Sequence, residues 1–297
     1  MHLRNVSEFD LFYISFDEPN CEENFCDLVD KAPWAKRIHG VYGSDSAHKA
    51  AAKESQTKRF ITVDGDNIIN EEFFNEQVGF TDQYQFDNYT FSWSGSNNIN
   101  GLIYGNGGIK CWPKQYVLDM KTHENSEDES TAVEFCWDKD YVQIDKQFST
   151  SIINGSPLQA YRAGFREGVK MCLDRGKKIP LNQFRNQCYW HNYNRLLIWC
   201  NIGMDVENGI YSIFGARAGA HMTLLGDWDF TKVRDFHYIK RVFESWETDL
   251  KGDIGIYDTV LTIGDELRHK ANLEMLEPTI ESSKFFKQVY KNPGRLE

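Results

Sequence analysis

Arg59-Phe60-Ile61-Thr62-Val63-Asp64-Gly65-Asp66-Asn67 reads as a buried β-strand that delivers two carboxylates, one residue apart, at its C-terminal end. Phe60, Ile61 and Val63 have the aromatic and β-branched character of an interior parallel strand. Gly65 permits a sharp turn and a close approach of backbone to ligand. Two hard oxygen donors at a strand tip suit Mg²⁺ or Mn²⁺, which commonly shares its shell with phosphate oxygens. In α/β folds, ligands gather at the carboxyl edge of the sheet, where this tip lies. Asp-Gly is also an ordinary turn signal, so the rest of the chain has to decide between a site and a bend.

On the N-terminal side, strand and helix signals alternate. Phe9 to Phe16 reads as a strand ending in the polar turn Asp17-Glu18-Pro19-Asn20, and residues 21–31 carry a helical rhythm through Phe25, Leu28 and Val29. Arg37 to Tyr42 is a second short strand, and Asp45 to Ser55 an Ala-rich helix. Three such units with short links imply a mostly parallel sheet with right-handed crossovers. Beyond the aspartates, Tyr89 to Trp93, Leu102 to Tyr104 and Ala132 to Trp137 read as strands, Lys121 to Thr131 as an acidic loop, and Phe148 to Pro157 as irregular. The second half turns helical: an amphipathic helix over 158–175 stopped by Gly176, then helices over 186–202, 209–222 and 233–250, with a surface helix and tail to finish. The expected organisation is an α/β region over 1–150 and a mainly helical region over 151–297, packed as one unit.

Composition narrows the partners. A net charge of −11 excludes a general nucleic-acid binder, which is normally basic, so an enzyme acting on nucleic acid would need a local basic patch. Arg162, Arg166 and Lys170 recur every four residues on one helix face and form such a stripe. It either meets phosphate or pairs with the chain's own carboxylates. No run of eighteen apolar residues predicts a membrane span, and residues 1–10 have no apolar signal core. Seven scattered cysteines without a Cys-x-x-Cys pair fit reduced thiols in a cytoplasm.

Several motifs together give the chain a family likeness: Phe12-Tyr13-Ile14-Ser15-Phe16-Asp17-Glu18-Pro19-Asn20, His39-Gly40-Val41-Tyr42-Gly43, Ala47-His48-Lys49-Ala50-Ala51-Ala52, Val63-Asp64-Gly65-Asp66-Asn67, Tyr104-Gly105-Asn106-Gly107-Gly108-Ile109-Lys110 and Ala163-Gly164-Phe165-Arg166-Glu167-Gly168. Over residues 9 to 220 the chain resembles glycosyltransferases of the GT-A fold, an α/β nucleotide-sugar-binding sandwich, and within them a group encoded by tailed phages. The resemblance implies metal-dependent transfer of a sugar from a nucleotide-diphosphate sugar, UDP-linked in the first instance, to a hydroxyl. The acceptor it suggests is 5-hydroxymethylcytosine in phage DNA, with glucosyl or arabinosyl transfer in the host cytoplasm. Two other readings stand beside it: a glycan or envelope glycosyltransferase, and a non-catalytic carbohydrate- or nucleotide-binding module.

The likeness also distributes roles. Asp64 and Asp66 hold Mn²⁺ or Mg²⁺, with Gly65 between them. Ser15, Phe16, Asp17 and Glu18 cradle the nucleoside, joined by Asp45, His48 and Lys49, although Asp17 is equally a helix cap. Gly107 and Gly108, with Asn106 and Lys110 as donors, line the acceptor side, where Trp93, Asn97 and Arg166 also belong. The catalytic base is expected in the acidic run, at Asp128 with Glu124 beside it. His191 and His221 are the candidates for a third metal ligand.

Overall fold

The computed structural model describes residues 2–105, 107–121, 140–250 and 255–290. Glu124, Asp128, Asn106 and the strand expected at 132–137 lie outside them. The strands are β1 His2–Asn5, β2 Asp10–Ser15, β3 Lys36–His39, β4 Arg59–Asp64, β5 Asn67–Ile69, β6 Gln77–Phe80, β7 Thr90–Asn97, β8 Ile103–Tyr104, β9 Ile109–Pro113 and β10 Tyr141–Ser151, followed by a small hairpin of Leu173–Asp174 with Lys177–Lys178. The helices are α1 Cys21–Lys31, α2 Ser44–Glu54, α3 Gln83–Asn88, α4 Lys114–Asp119, α5 Pro157–Lys170, α6 Phe184–Gln187, α7 Trp190–Asn201, α8 Gly209–Leu225, α9 Phe236–Leu250, α10 Ile256–Ala271 and α11 Ile280–Val289.

The chain is mixed α/β with a helical C-terminal region. Its main sheet has the order β3-β2-β4-β9-β7-β10-β5, with β8 added to β7. The expectation of a mostly parallel sheet is corrected. β3–β2–β4 and β7–β10 are parallel, whereas β9 runs antiparallel to both β4 and β7, and β5 antiparallel to β10. The cause is a reversal after β7. Asn97 accepts the N–H groups of Ile99 and Asn100 on its side-chain oxygen, folding the chain back so that it re-enters the sheet inverted as β9.

Alternation along β2 and β4 divides the interior. Tyr13, Ile61 and Val63 join Phe73, Trp93 and Cys111 on the face covered by α1, while Phe12, Phe60 and Trp112 pack with Ala51, Ala52 and Val117 under α2 and α4. A separate core holds the helical region together. There α5 and α8 cross with their backbones almost touching. A Cβ on Gly164 or Gly168 would collide with the carbonyls of Ser212 and Ala216, and one on Gly215 or Gly219 with those of Tyr161 and Phe165.

Three further expectations change. Residues 148–157 are not all irregular, because β10 runs eleven residues to Ser151; register shifts after Ile144 and after Gln147 break the period-two pattern that would announce it. Gly176 does not stop α5, which ends at Lys170. It sits with Arg175 at positive φ (77° and 47°), in the turn of the hairpin. The stretch after α9 holds two helices, α10 and α11, rather than one and a tail.

Candidate active site

β2 and β4 run parallel with Ile14 opposite Asp64, so both strands leave the sheet at the same edge. The tips press together. A Cβ on Gly65 would stand 2.9 Å from each of Glu18 Oε2, the Ile14 carbonyl oxygen and Ser15 Cβ, so this position takes glycine for contact as well as for turning. The Gly65 carbonyl accepts from the Tyr13 hydroxyl and, at 3.2 Å, from Asn24 Nδ2.

Three carboxylates meet in the resulting cup. Glu18 curls back to accept the Phe16 N–H at 2.8 Å. Asp66 takes the Asn67 amide at 2.6 Å, and Asn67 is in turn held by the Ser151 hydroxyl at 3.1 Å. The main chain of Asp66 is pinned by the Ile152 N–H, 2.6 Å from its carbonyl oxygen. The Asp66 carboxyl lies deep among its neighbours, with only part of its surface open. Burial, then the negative charges of Asp64 and Glu18, push its pKa up to about 7 against the pull of Arg162 and the Asn67 amide. Asp64 is 40% exposed, with the Lys110 ammonium 3.7 Å away.

Such crowding of like charge is what a divalent cation relieves, and the oxygen donors of Asp64 and Asp66 fit Mg²⁺ or Mn²⁺. Among the described residues neither aspartate belongs to a group of three His, Cys, Asp or Glu side chains with donor atoms within 4.8 Å of one another. A cation here would complete its shell with ligand and water oxygens. Cys21, Glu22 and His39 do form such a group, but Arg37 already serves as its cation. Its guanidinium bonds both Glu22 oxygens at 2.6 and 2.8 Å and reaches His39 Nδ1 at 3.2 Å, while its Nε donates to Ser15 Oγ at 3.0 Å. Arg37 thus braces the tip of β2 from behind and engages the side chains that would otherwise be free to ligate a metal.

The helical region reaches over this edge. Ser156 caps α5 by accepting the Gln159 N–H, and buried Gln159 donates to the Ile152 carbonyl at 3.3 Å and to Asn20 at 3.5 Å. This tie fixes α5 so that Arg162 stands beside Asp17, at 3.8 Å. Asp235 accepts the Tyr238 N–H and starts α9 there, placing Phe236 under the Arg162 and Arg166 guanidiniums, 4.4 and 5.1 Å from its ring centroid. His237 stacks on Tyr42, and Tyr42 meets Phe16 edge-on.

The other expected residues are placed as follows. Asp45 is paired with Lys49 at 2.8 Å along α2, and His48 is buried edge-on against Trp112, bonded to the Ser44 carbonyl. Trp93 is buried against Phe73, and Asn97 forms the turn after β7. Gly107 lies on the backbone of Trp93 to Gly95, and Gly108 on the Asn67 amide, so both glycines serve close packing behind Asp66. His221 pairs with Glu266, and His191 stacks on Trp190. The structure thus joins Ser15 to Glu18, Asp64 to Asp66, Lys110 and Arg166 around one edge. Sequence reasoning missed the Arg37 brace, Asn24 and Phe236. Nothing local signals Phe236, which lies seventy residues beyond Arg166.

No family model and no curated protein matches the chain. The crystal structure of HddC from Yersinia pseudotuberculosis aligns with 52% of this chain and 97% of its own at 12% identity, with a TM-score of 0.31. A likeness that slight carries no argument about fold or function.

Proposed function

We propose that the protein is a metal-dependent glycosyltransferase that moves a sugar from a nucleotide-diphosphate sugar, UDP-linked, to a hydroxyl acceptor. The observation that carries the reading is the cup itself. Asp64, Asp66 and Glu18 concentrate negative charge at the carboxyl edge of β2 and β4, where burial first and the neighbouring carboxylates second raise the Asp66 pKa to about 7, with the Arg162 guanidinium standing across from it. Perturbed carboxylates of this kind mark functional sites more often than structural ones. The bound cation, Mg²⁺ or Mn²⁺, would neutralise the charge that grows on a departing diphosphate. Asp66 and Asp64 would hold that cation, and Asn67 with the Ile152 N–H keeps Asp66 from moving. For the acceptor we propose the hydroxymethyl group of a modified cytosine in DNA; this rests on the sequence resemblance, and the base would have to leave the stack.

The test is calorimetry with UDP-glucose, with and without Mn²⁺. Metal-dependent binding that disappears in Asp66→Asn is the expected result; no binding of any UDP-sugar in either condition would overturn the reading. Transfer of labelled glucose to hydroxymethylcytosine DNA, against a glycan acceptor, then decides the acceptor.

A further inference from the structure

The molecule treats its enclosed arginines in two ways. Arg59 and Arg217 are fully buried and their guanidiniums are met by backbone oxygen. Arg59 donates to the carbonyls of Phe86, Tyr89 and Cys111, and Arg217 to those of Cys200, Val260 and Leu276. Arg162 is only 17% exposed at its side chain, yet among the described residues it makes no hydrogen bond, and its ion pair with Asp17 is a loose 3.8 Å. Arg166, one turn along α5, has no carboxylate partner among them either. Both rest on the ring of Phe236, which is itself 43% exposed. A guanidinium has five donors and loses heavily when enclosed without acceptors, and two adjacent ones repel each other. An arrangement that keeps both in place with no hydrogen-bonded oxygen among the described residues is built for an anion.

We infer that Arg162 and Arg166, stacked on Phe236, are the seat of a diphosphate group whose other side faces the Asp64–Asp66 pair. This deepens the function proposed above by assigning the side chains that take the diphosphate, and its test needs neither sugar nor nucleotide. Residues four apart on a helix stand about 5–6 Å apart at Cβ, a spacing that lets two forks grip neighbouring phosphates. Asp17, 62% exposed, is a placeholder that yields its arginine when phosphate oxygens arrive. Duplex DNA fits this seat less well. Arg162 is too enclosed for a phosphate strand to reach, Asp17, Glu18 and Asp64 would repel the strand, and Lys170, the third cation of the stripe, is paired with Glu167 at 3.3 Å.

Inorganic pyrophosphate titrated into the full chain by calorimetry, with Mg²⁺, tests the seat. Wild-type protein binds it. Arg162→Met and Arg166→Met each weaken binding at least tenfold with the melting temperature kept, Arg162→Lys loses less, and Lys170→Met changes it under twofold. Arg166 is half-buried and gives an independent answer if Arg162→Met does not fold. Unchanged affinity in both Arg→Met variants overturns the inference, as does loss of duplex-DNA binding in them with pyrophosphate binding intact. Pyrophosphate binding without UDP-glucose binding leaves the seat standing and removes the glycosyltransferase reading. Full UDP-glucose binding by the arginine variants does the reverse.

Discussion

The two ends of the same strand pair carry aspartates in opposite electrostatic conditions. At the amino end of β2, Asp10 accepts the Gln56 and Thr57 N–H groups at 2.6 and 3.1 Å, the Ser55 hydroxyl at 3.1 Å and the Lys36 ammonium at 3.1 Å. Burial alone would raise its pKa, but those donors together outweigh burial and hold it below the usual carboxylate range. At the carboxyl end, Asp66 is buried with one side-chain donor among the described residues, the Asn67 amide, and two acids for neighbours, and its pKa moves the other way, burial leading. Asp10 closes the link from α2 into β4. Asp66 weakens the fold that holds it. A carboxylate supplied with donors is part of the scaffold, and one pressed against other carboxylates is kept for something that arrives later.

Substitution at each end separates these roles. Asp66→Asn should abolish Mn²⁺ binding, by at least a hundredfold in calorimetry, and at the same time raise the melting temperature of the metal-free protein at pH 8. The shift from 3.8 to about 7 sets an upper bound of ~4 kcal/mol on the penalty removed, burial first and repulsion second, less because water reaches the open side of the carboxyl. A lower melting temperature would refute the picture of a strained cup. Asp10→Asn should do the reverse, costing about 2–4 kcal/mol in chemical denaturation because a neutral amide cannot serve all those donors, while Mn²⁺ affinity stays within twofold. Gly65→Ala sits between the two ends in effect. Its Cβ must displace Glu18 or the Ile14 carbonyl, so we expect about 1–3 kcal/mol of lost stability together with weaker metal binding. A variant that binds Mn²⁺ normally would show that the approach of the two tips is unnecessary.

How far this contrast could be read in the sequence follows from where its partners lie. β2, α1, α2 and β4 are local patterns with short links, and the sequence reading finds each within two or three residues. Asp64 and Asp66 are legible because a hydrophobic run ends at them. The inverted β9 is not, since an antiparallel insertion depends on which neighbours the sheet offers and not on alternation within the strand. β10 hides behind its two bulges. The glycines of Gly164-x-x-x-Gly168 read as part of a family motif, but their physical work is the contact with α8, which is visible only once both helices are placed. The Arg162–Phe236 stack joins residues over seventy positions apart, and the donors that distinguish Asp10 from Asp66 come from residues 55–57, forty-five positions beyond Asp10.

The finest test of the comparison is the pH dependence of the difference between wild type and Asp66→Asn without metal. Because the folded pKa of Asp66 is raised, the native state binds more protons than the unfolded chain between pH 4 and 7. Its contribution therefore turns against the fold as pH rises through that window and is complete above about 7. Asp10, with its folded pKa depressed, contributes stability above 3.8 that is lost only as pH falls through its lowered value. Denaturation curves should thus coincide for wild type and Asp66→Asn near pH 4 and separate progressively toward pH 7, the variant becoming the more stable. Asp64→Asn, which removes the second-ranked cause of the shift, should move the window down and leave it present, since burial comes first. If Asp64→Asn returned Asp66 to the ordinary carboxylate range, charge repulsion and not burial would be what sets the cup apart from the Asp10 end.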